Sequence, residues 1–120
     1  MAQHNDLGKY GEALASKYLR EKGYEILDEN WTYEKAEIDL VVYFNRLIIF
    51  VEVKTRSSVG FGLPEDFVDQ AKQQRLADAA EAYIEVMGYE GEIRFDIISI
   101  LFDRKNNYTI NHIEDAFWPL

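Results

Sequence analysis

The chain has 120 residues, 48% of them hydrophobic and 29% charged, with no cysteine and a formal net charge of −9. A domain of that size buries roughly two-thirds of its unfolded surface, so it folds without disulfides or a structural metal. The lack of cysteine excludes a disulfide scaffold and any Cys-ligated zinc or iron–sulfur centre, and the negative field argues against indiscriminate binding to nucleic acid.

The first residues turn polar and helical with no apolar run of the kind a signal peptide needs. Residues 6–22 carry Leu7, Gly11, Leu14, Ala15, Tyr18 and Leu19 at helical spacing, and Gly23 follows as a stop. Residues 24–27 read as a short strand. Residues 38–44 and 47–55 are rich in β-branched and aromatic side chains and flank Asn45-Arg46, which reads as a hairpin. The longest apolar run, Leu47-Ile48-Ile49-Phe50-Val51, is far short of the ~20 residues that span a bilayer. A second helix is expected from Pro64 to Met87, with Phe67, Val68, Ala71, Leu76, Ala79, Ala80, Tyr83, Ile84 and Met87 on one stripe and Gly88 closing it. Residues 93–102 and 108–114 form two further strands around a turn-forming polar stretch. The expected architecture is one α/β domain over residues 1–120, a mixed β-sheet flanked by helices in the order αβββαββ, located in the reducing cytoplasm with no membrane association.

A two-residue turn at Asn45-Arg46 pairs Phe44 with Leu47 and, counted outward, Asp39 with Glu52 and Glu37 with Lys54. One face of the hairpin then carries Ile38, Leu40, Val42, Phe44, Leu47, Ile49, Val51 and Val53, all apolar. The other gathers Glu37, Asp39, Glu52 and Lys54 at one end, beside Val41 and Phe50. Directly opposed carboxylates, with Cβ atoms roughly 5 Å apart, are destabilising unless neutralised. With oxygen donors only, a hard divalent ion such as Mg²⁺ or Mn²⁺ suits the pair better than zinc. A carboxylate pair, a metal and an adjacent ammonium suit phosphodiester hydrolysis. The competing reading of the same residues is a solvated polar face.

Asp39 followed by Glu52-Val53-Lys54 resembles the D…ExK core of the PD-(D/E)xK nuclease superfamily. Gly8-x-x-Gly11-Glu12, Glu37-Ile38-Asp39-Leu40, Phe50-Val51-Glu52-Val53-Lys54-Thr55-Arg56, Phe61-Gly62-x-Pro64, Arg94-Phe95-Asp96 and His112-Ile113-x-x-Ala116-Phe117 together resemble the YraN family of small bacterial proteins. One departure is Ala36, where the family usually has Gly. The resemblance implies a restriction-endonuclease-like fold close to the archaeal Holliday-junction resolvases. It further implies Asp39, Glu52 and the Val53 carbonyl as metal ligands, Lys54 as the catalytic lysine and Glu12 as a helix-borne catalytic acid. By the helical wheel, Glu12 borders the apolar stripe of the first helix, where Gly8 and Gly11 would permit close backbone approach.

Gln70 and Lys72, and below them Arg75, are candidates for supporting the site from the second helix. Arg56 either contacts a phosphate or screens nearby acids. Arg94 and Asp96 read as a structural ion pair, His112 as a satisfied edge-strand histidine, and Trp31, Tyr33, Phe117 and Trp118 as packing residues. Two functions remain open on this basis. The first is a Mg²⁺- or Mn²⁺-dependent endonuclease acting on branched or single-stranded DNA, as a monomer or homodimer. The second is a non-catalytic module that keeps the nuclease core and binds nucleic acid or a protein; the acidic charge favours it.

Overall fold

A computed structural model describes residues 4–57, 69–105 and 107–118. Among the described residues the elements are, in order, α1 (His4–Glu21), β1 (Glu25–Tyr33), β2 (Ala36–Phe44), β3 (Leu47–Arg56), α2 (Gln70–Met87), β4 (Glu92–Phe102) and β5 (Tyr108–Ile113). The strands form one mixed sheet in sequential order, antiparallel except where β3 and β4 run parallel across the α2 crossover. This is the expected αβββαββ arrangement.

The helices cover opposite faces of the sheet. Ala15 and Leu19 of α1 pack with Leu40, Val42, Ile49, Val51, Val53, Ile98 and Ile100, whereas Leu76, Ala79, Ala80 and Tyr83 of α2 pack with Ile38, Val41, Ile48, Phe50, Phe95 and Ile97. Period-2 alternation along β3 and β4 sends successive apolar residues to each helix in turn, which is why these strands read as nearly continuous hydrophobic runs. Among the described residues, no helix is long and apolar enough to cross a membrane.

Local chemistry sets most boundaries. Asn45 and Arg46 both take positive φ, 53° and 65°, as a two-residue hairpin turn requires, and Phe44 pairs with Leu47. Gly88, in the left-handed region, ends α2 as its N–H and that of Tyr89 bond back to Glu85 and Ile84 carbonyls.

Three expectations require correction. The second helix begins at Gln70, not Pro64: Asp69 is extended and its carboxylate caps the helix by accepting the Lys72 N–H. Pro64, Phe67 and Val68 lie outside the described residues, and Ala71 and Met87 are exposed rather than on the buried stripe. The first strand runs to Tyr33 instead of Leu27. A register shift between Ile26 and Asp28 and a positive φ at Asn30 break its alternation, so pairing with β2 sustains a strand that its Asp, Glu and Asn residues do not announce. Finally, Ile38 packs under α2 while Leu40 and Val42 pack under α1, so β2 does not present one uniform apolar face. The alternation breaks at Asp39, opposite Asn30.

Candidate active site

The break in β2 shapes the site. The β2–β3 ladder follows the expected register from Phe44↔Leu47 to Leu40↔Val51 and carries no regular pair beyond it. At the next position Asp39 does not face Glu52 as a cross-strand partner; its Oδ2 accepts the backbone N–H of Val53 at 2.8 Å. Glu37 pairs with Thr32 of β1, not with Lys54. Asp39 is thereby drawn into the end of the sheet, where it is 9% exposed.

Helix α1 brings the next acid. Gly11 lies so close to β3 that a Cβ there would overlap the Thr55 hydroxyl and sit 3.0 Å from Thr55 Cβ. This close approach directs the adjacent Glu12 to the strand ends, where carboxylate oxygens of Glu12, Glu37 and Asp39 lie within 4.8 Å of one another. A Cβ at Gly8 would meet nothing within 4 Å among the described residues, so the helix approaches the sheet at Gly11 and not at Gly8.

Asn30 holds two of these acids. With its amide nitrogen turned toward them, it donates to Glu12 Oε1 at 3.1 Å and Glu37 Oε1 at 3.2 Å. Its positive φ suits Asn, whose short polar side chain tolerates the left-handed region. Hydrophobic periodicity could not find it, because Asn30 sits where the alternation of β1 fails.

Crowding of like charge leaves its mark on proton affinity. Burial, with Glu52 nearby, pushes the Asp39 carboxyl up to about 8 against the single opposing bond from Val53. Glu12 is raised first by burial and then by Glu37, with the Asn30 bond opposing.

Glu52, on β3, is 6% exposed and engages two lysines instead of the acid cluster. Lys72 Nζ from α2 lies 2.8 Å from Glu52 Oε1, and Lys54 Nζ lies 3.6 Å from the same oxygen. The Lys54 ammonium is held below the ordinary lysine range, by burial first and then by Lys72. Lys72 is raised: burial, the largest single influence, opposes the charge, but the contacts with Glu52 and Lys54 and the charges of Glu52 and Asp39 together outweigh that cost. Of the two amines, Lys54 is the easier to deprotonate.

The structure thus brings Glu12, Asp39, Glu52, Lys54 and Lys72 to one end of the sheet and adds Glu37 and Asn30. Val53 contributes its N–H to Asp39 while its side chain packs under α1. Arg56 is half-buried and donates to the Thr55 carbonyl oxygen at 2.8 Å. Gln70 and Arg75 are exposed on α2. The loop after Ser57 lies outside the described residues.

The remaining polar motif is a separate network. Asp96, fully buried, takes two bonds from Arg94 at 2.8 and 2.9 Å, lies 2.8 Å from His112 Nε2, and accepts the Asp115 N–H at 3.0 Å. Trp31 packs edge-on against Tyr83, and Phe117 and Trp118 pack on Phe95. Trp31 and Phe117 pack against the core under α2, whereas Trp118 stays half exposed. Ala36, at the departure from the YraN pattern, is buried in the core under α2, and so its methyl group is accommodated.

Comparison with known proteins adds a family. The profile of the uncharacterised protein family UPF0102 matches residues 11–100. A UPF0102 protein of Flavobacterium psychrophilum is 51% identical over 118 residues, covering 98% of both chains. Another from Christiangramia forsetii is 48% identical over 118 residues and one from Flavobacterium johnsoniae 44% over 124, each again covering 98% of both chains. The matched span includes Glu12, Asn30, Glu37, Asp39, Glu52, Lys54 and Lys72, and the chain belongs to the uncharacterised protein family UPF0102, the YraN family.

Proposed function

We propose that the protein is a metal-dependent endonuclease that hydrolyses phosphodiester bonds in branched or single-stranded DNA in the cytoplasm. The observation that carries this reading is the convergence of Glu12, Glu37 and Asp39 within 4.8 Å, next to a lysine pair sharing Glu52. Three carboxylates, one of them raised to about 8, form a site short of positive charge. An all-oxygen donor set of this kind fits Mg²⁺ or Mn²⁺.

When bound, such an ion supplies Lewis-acid polarisation of a phosphate and lowers the pKa of water. Glu12, Glu37 and Asp39 are the residues that would hold it, with Asn30 orienting the first two. Glu52 would join them by exchanging a lysine contact for the ion, and the Val53 carbonyl remains a further candidate donor. Lys54, with its lowered proton affinity, is suited to orient the nucleophile or to stabilise charge developing on the phosphate. Lys72 keeps Glu52 in place. Arg56 and Gln70 are the remaining candidates for contact with DNA, which a monomer or a homodimer would grip.

The test is cleavage of labelled duplex, single-stranded, flap and four-way-junction DNA with Mg²⁺ or Mn²⁺. Cutting by the parent, abolished in Asp39→Asn and Lys54→Ala, is the expected result. If every DNA stays intact across metals and salt, or both variants cut like the parent, the endonuclease reading fails. The alternative is a non-catalytic module on the same fold, and the net charge of −9 favours it.

A further inference from the structure

Beyond the acid cluster, the same end of the sheet carries a groove of about 690 Å³, within the usual range for ligand sites. Ser57, Phe102, Arg104, Lys105, Tyr108 and Thr109 line it. Arg56 pairs with Leu101 across β3 and β4, so the groove continues the strand that carries Glu52 and Lys54. The three residues from Lys54 to Ser57 amount to about 10 Å of extended chain.

Its walls combine aromatic rings with positive charge. Tyr10 stacks on Phe102 with centroids 5.5 Å apart, and Phe102 meets Tyr108 at 5.7 Å. Phe102 between them is buried, whereas the outer two rings stay open to solvent, Tyr10 being 53% and Tyr108 42% exposed. Tyr10 also lies two residues before Glu12, so the turn of α1 that bears Glu12 also packs on Phe102 of the groove wall.

Arg104 and Lys105 stand at the rim. Among the described residues lining the groove the one acid is Asp103, and it is occupied by its own turn, where Oδ1 accepts the N–H groups of Lys105 at 2.8 Å and Asn107 at 2.9 Å. In a chain of net charge −9, a rim with two cations and a turn-bound acid is a local exception.

We propose that this groove binds single-stranded DNA, with a base stacked against the exposed Tyr108 ring and phosphates on Arg104 and Lys105. An exposed aromatic face beside cations is what sequence-tolerant single-strand binding uses. The choice of DNA as the polymer rests on the endonuclease reading; the groove itself does not.

The test is fluorescence anisotropy of a labelled twelve-nucleotide oligo-dT in EDTA, where no metal supports cutting, over a salt series. The parent should bind, and Tyr108→Ala should weaken binding about tenfold. Joint replacement Arg104→Ala and Lys105→Ala should reduce the slope of log K against log salt by about 1.4, the value for two single-strand phosphate contacts. Lys17→Ala, which removes one charge from an exposed position on α1, should change neither. Both rim residues are exposed, so the slope does not depend on the stability cost of changing Tyr108.

Absence of oligo-dT binding, an unchanged slope in the double variant, or equal loss in Lys17→Ala would overturn the proposal. Groove-dependent binding without cleavage of any DNA would uphold the groove and sink the endonuclease reading. Metal-dependent cleavage with binding indifferent to the groove variants would do the reverse.

Discussion

Asp39 accepts the backbone N–H of Val53 at 2.8 Å, so a side chain takes over where the β2–β3 ladder ends. The bond pulls a carboxylate out of solvent toward Glu52, Glu12 and Glu37, and it is the one hydrogen bond that lowers the Asp39 pKa among the causes that raise it. A carboxyl raised from 3.8 to about 8 makes the folded state bind more protons than the unfolded state between those values. Without metal, stability should therefore fall as pH rises from about 4 to about 8. Thermal melting in EDTA should show this slope, and Asp39→Asn should flatten it. Added Mn²⁺ should raise the midpoint more at pH 8 than at pH 6, because binding needs the deprotonated form.

Calorimetric titration with Mn²⁺ separates ligands from their supports. Asp39→Asn should weaken binding by more than tenfold, and so should Glu37→Gln. On the proposed function Asn30 would act on the ion through Glu12 and Glu37, and loss of such an outer contact costs about 10- to 100-fold in affinity. Asn30→Gly removes the amide while tolerating the positive φ, so a weaker ion in that variant reports the amide and not the backbone. Unchanged affinity in Asn30→Gly would remove Asn30 from the site.

Lys72 and Lys54 compete for one oxygen of Glu52. Lys72→Met should leave Lys54 as its partner and raise the proton affinity of Lys54, since Lys72 is the second cause of its depression after burial. If the Lys54 amine acts unprotonated, the rise of cleavage rate with pH should then move to higher pH. The broken charge-assisted bond should also cost about 1–2 kcal/mol, measurable by urea denaturation, because Lys72 is partly exposed and screened.

The two glycines of the first helix should respond in opposite ways. Gly11→Ala forces a methyl group into Thr55 and should destabilise by about 1–3 kcal/mol, disturbing Glu12 with it. Gly8→Ala meets no described residue within 4 Å and should be neutral or stabilising by up to about 1 kcal/mol. Denaturation midpoints for the pair decide whether α1 is held at Gly11.

Asp96→Asn should cost about 3–5 kcal/mol by leaving Arg94 without its buried counter-charge, while Mn²⁺ affinity stays unchanged. Burial acts to raise the Asp96 pKa, but its bonds to His112, Arg94 and Asp115 outweigh burial and lower it. Its contribution is therefore present above the unfolded pKa of about 3.8 and lost as pH falls through that range. The parent should lose stability at acid pH more steeply than Asp96→Asn.

The sequence by itself determined the element order, the Asn45-Arg46 turn, the Gly88 stop and the ion pair of Arg94 with Asp96, because each depends on local spacing or on the backbone freedom of one or two residues. It also singled out Glu12, Asp39, Glu52, Lys54 and Lys72 as candidates, through motif resemblance and the charge pattern of the hairpin. Tertiary structure decided how these residues meet. Strand alternation extrapolates only while the ladder is regular, and it breaks where Asn30 and Asp39 lie opposite each other. That break separates Ile38 from Leu40, turns Asp39 to the Val53 N–H and sets Glu37 with Glu12. Likewise, only the packing of α2 against β3 shows that Glu52 is held by Lys72, a contact between residues 20 positions apart that no local pattern encodes.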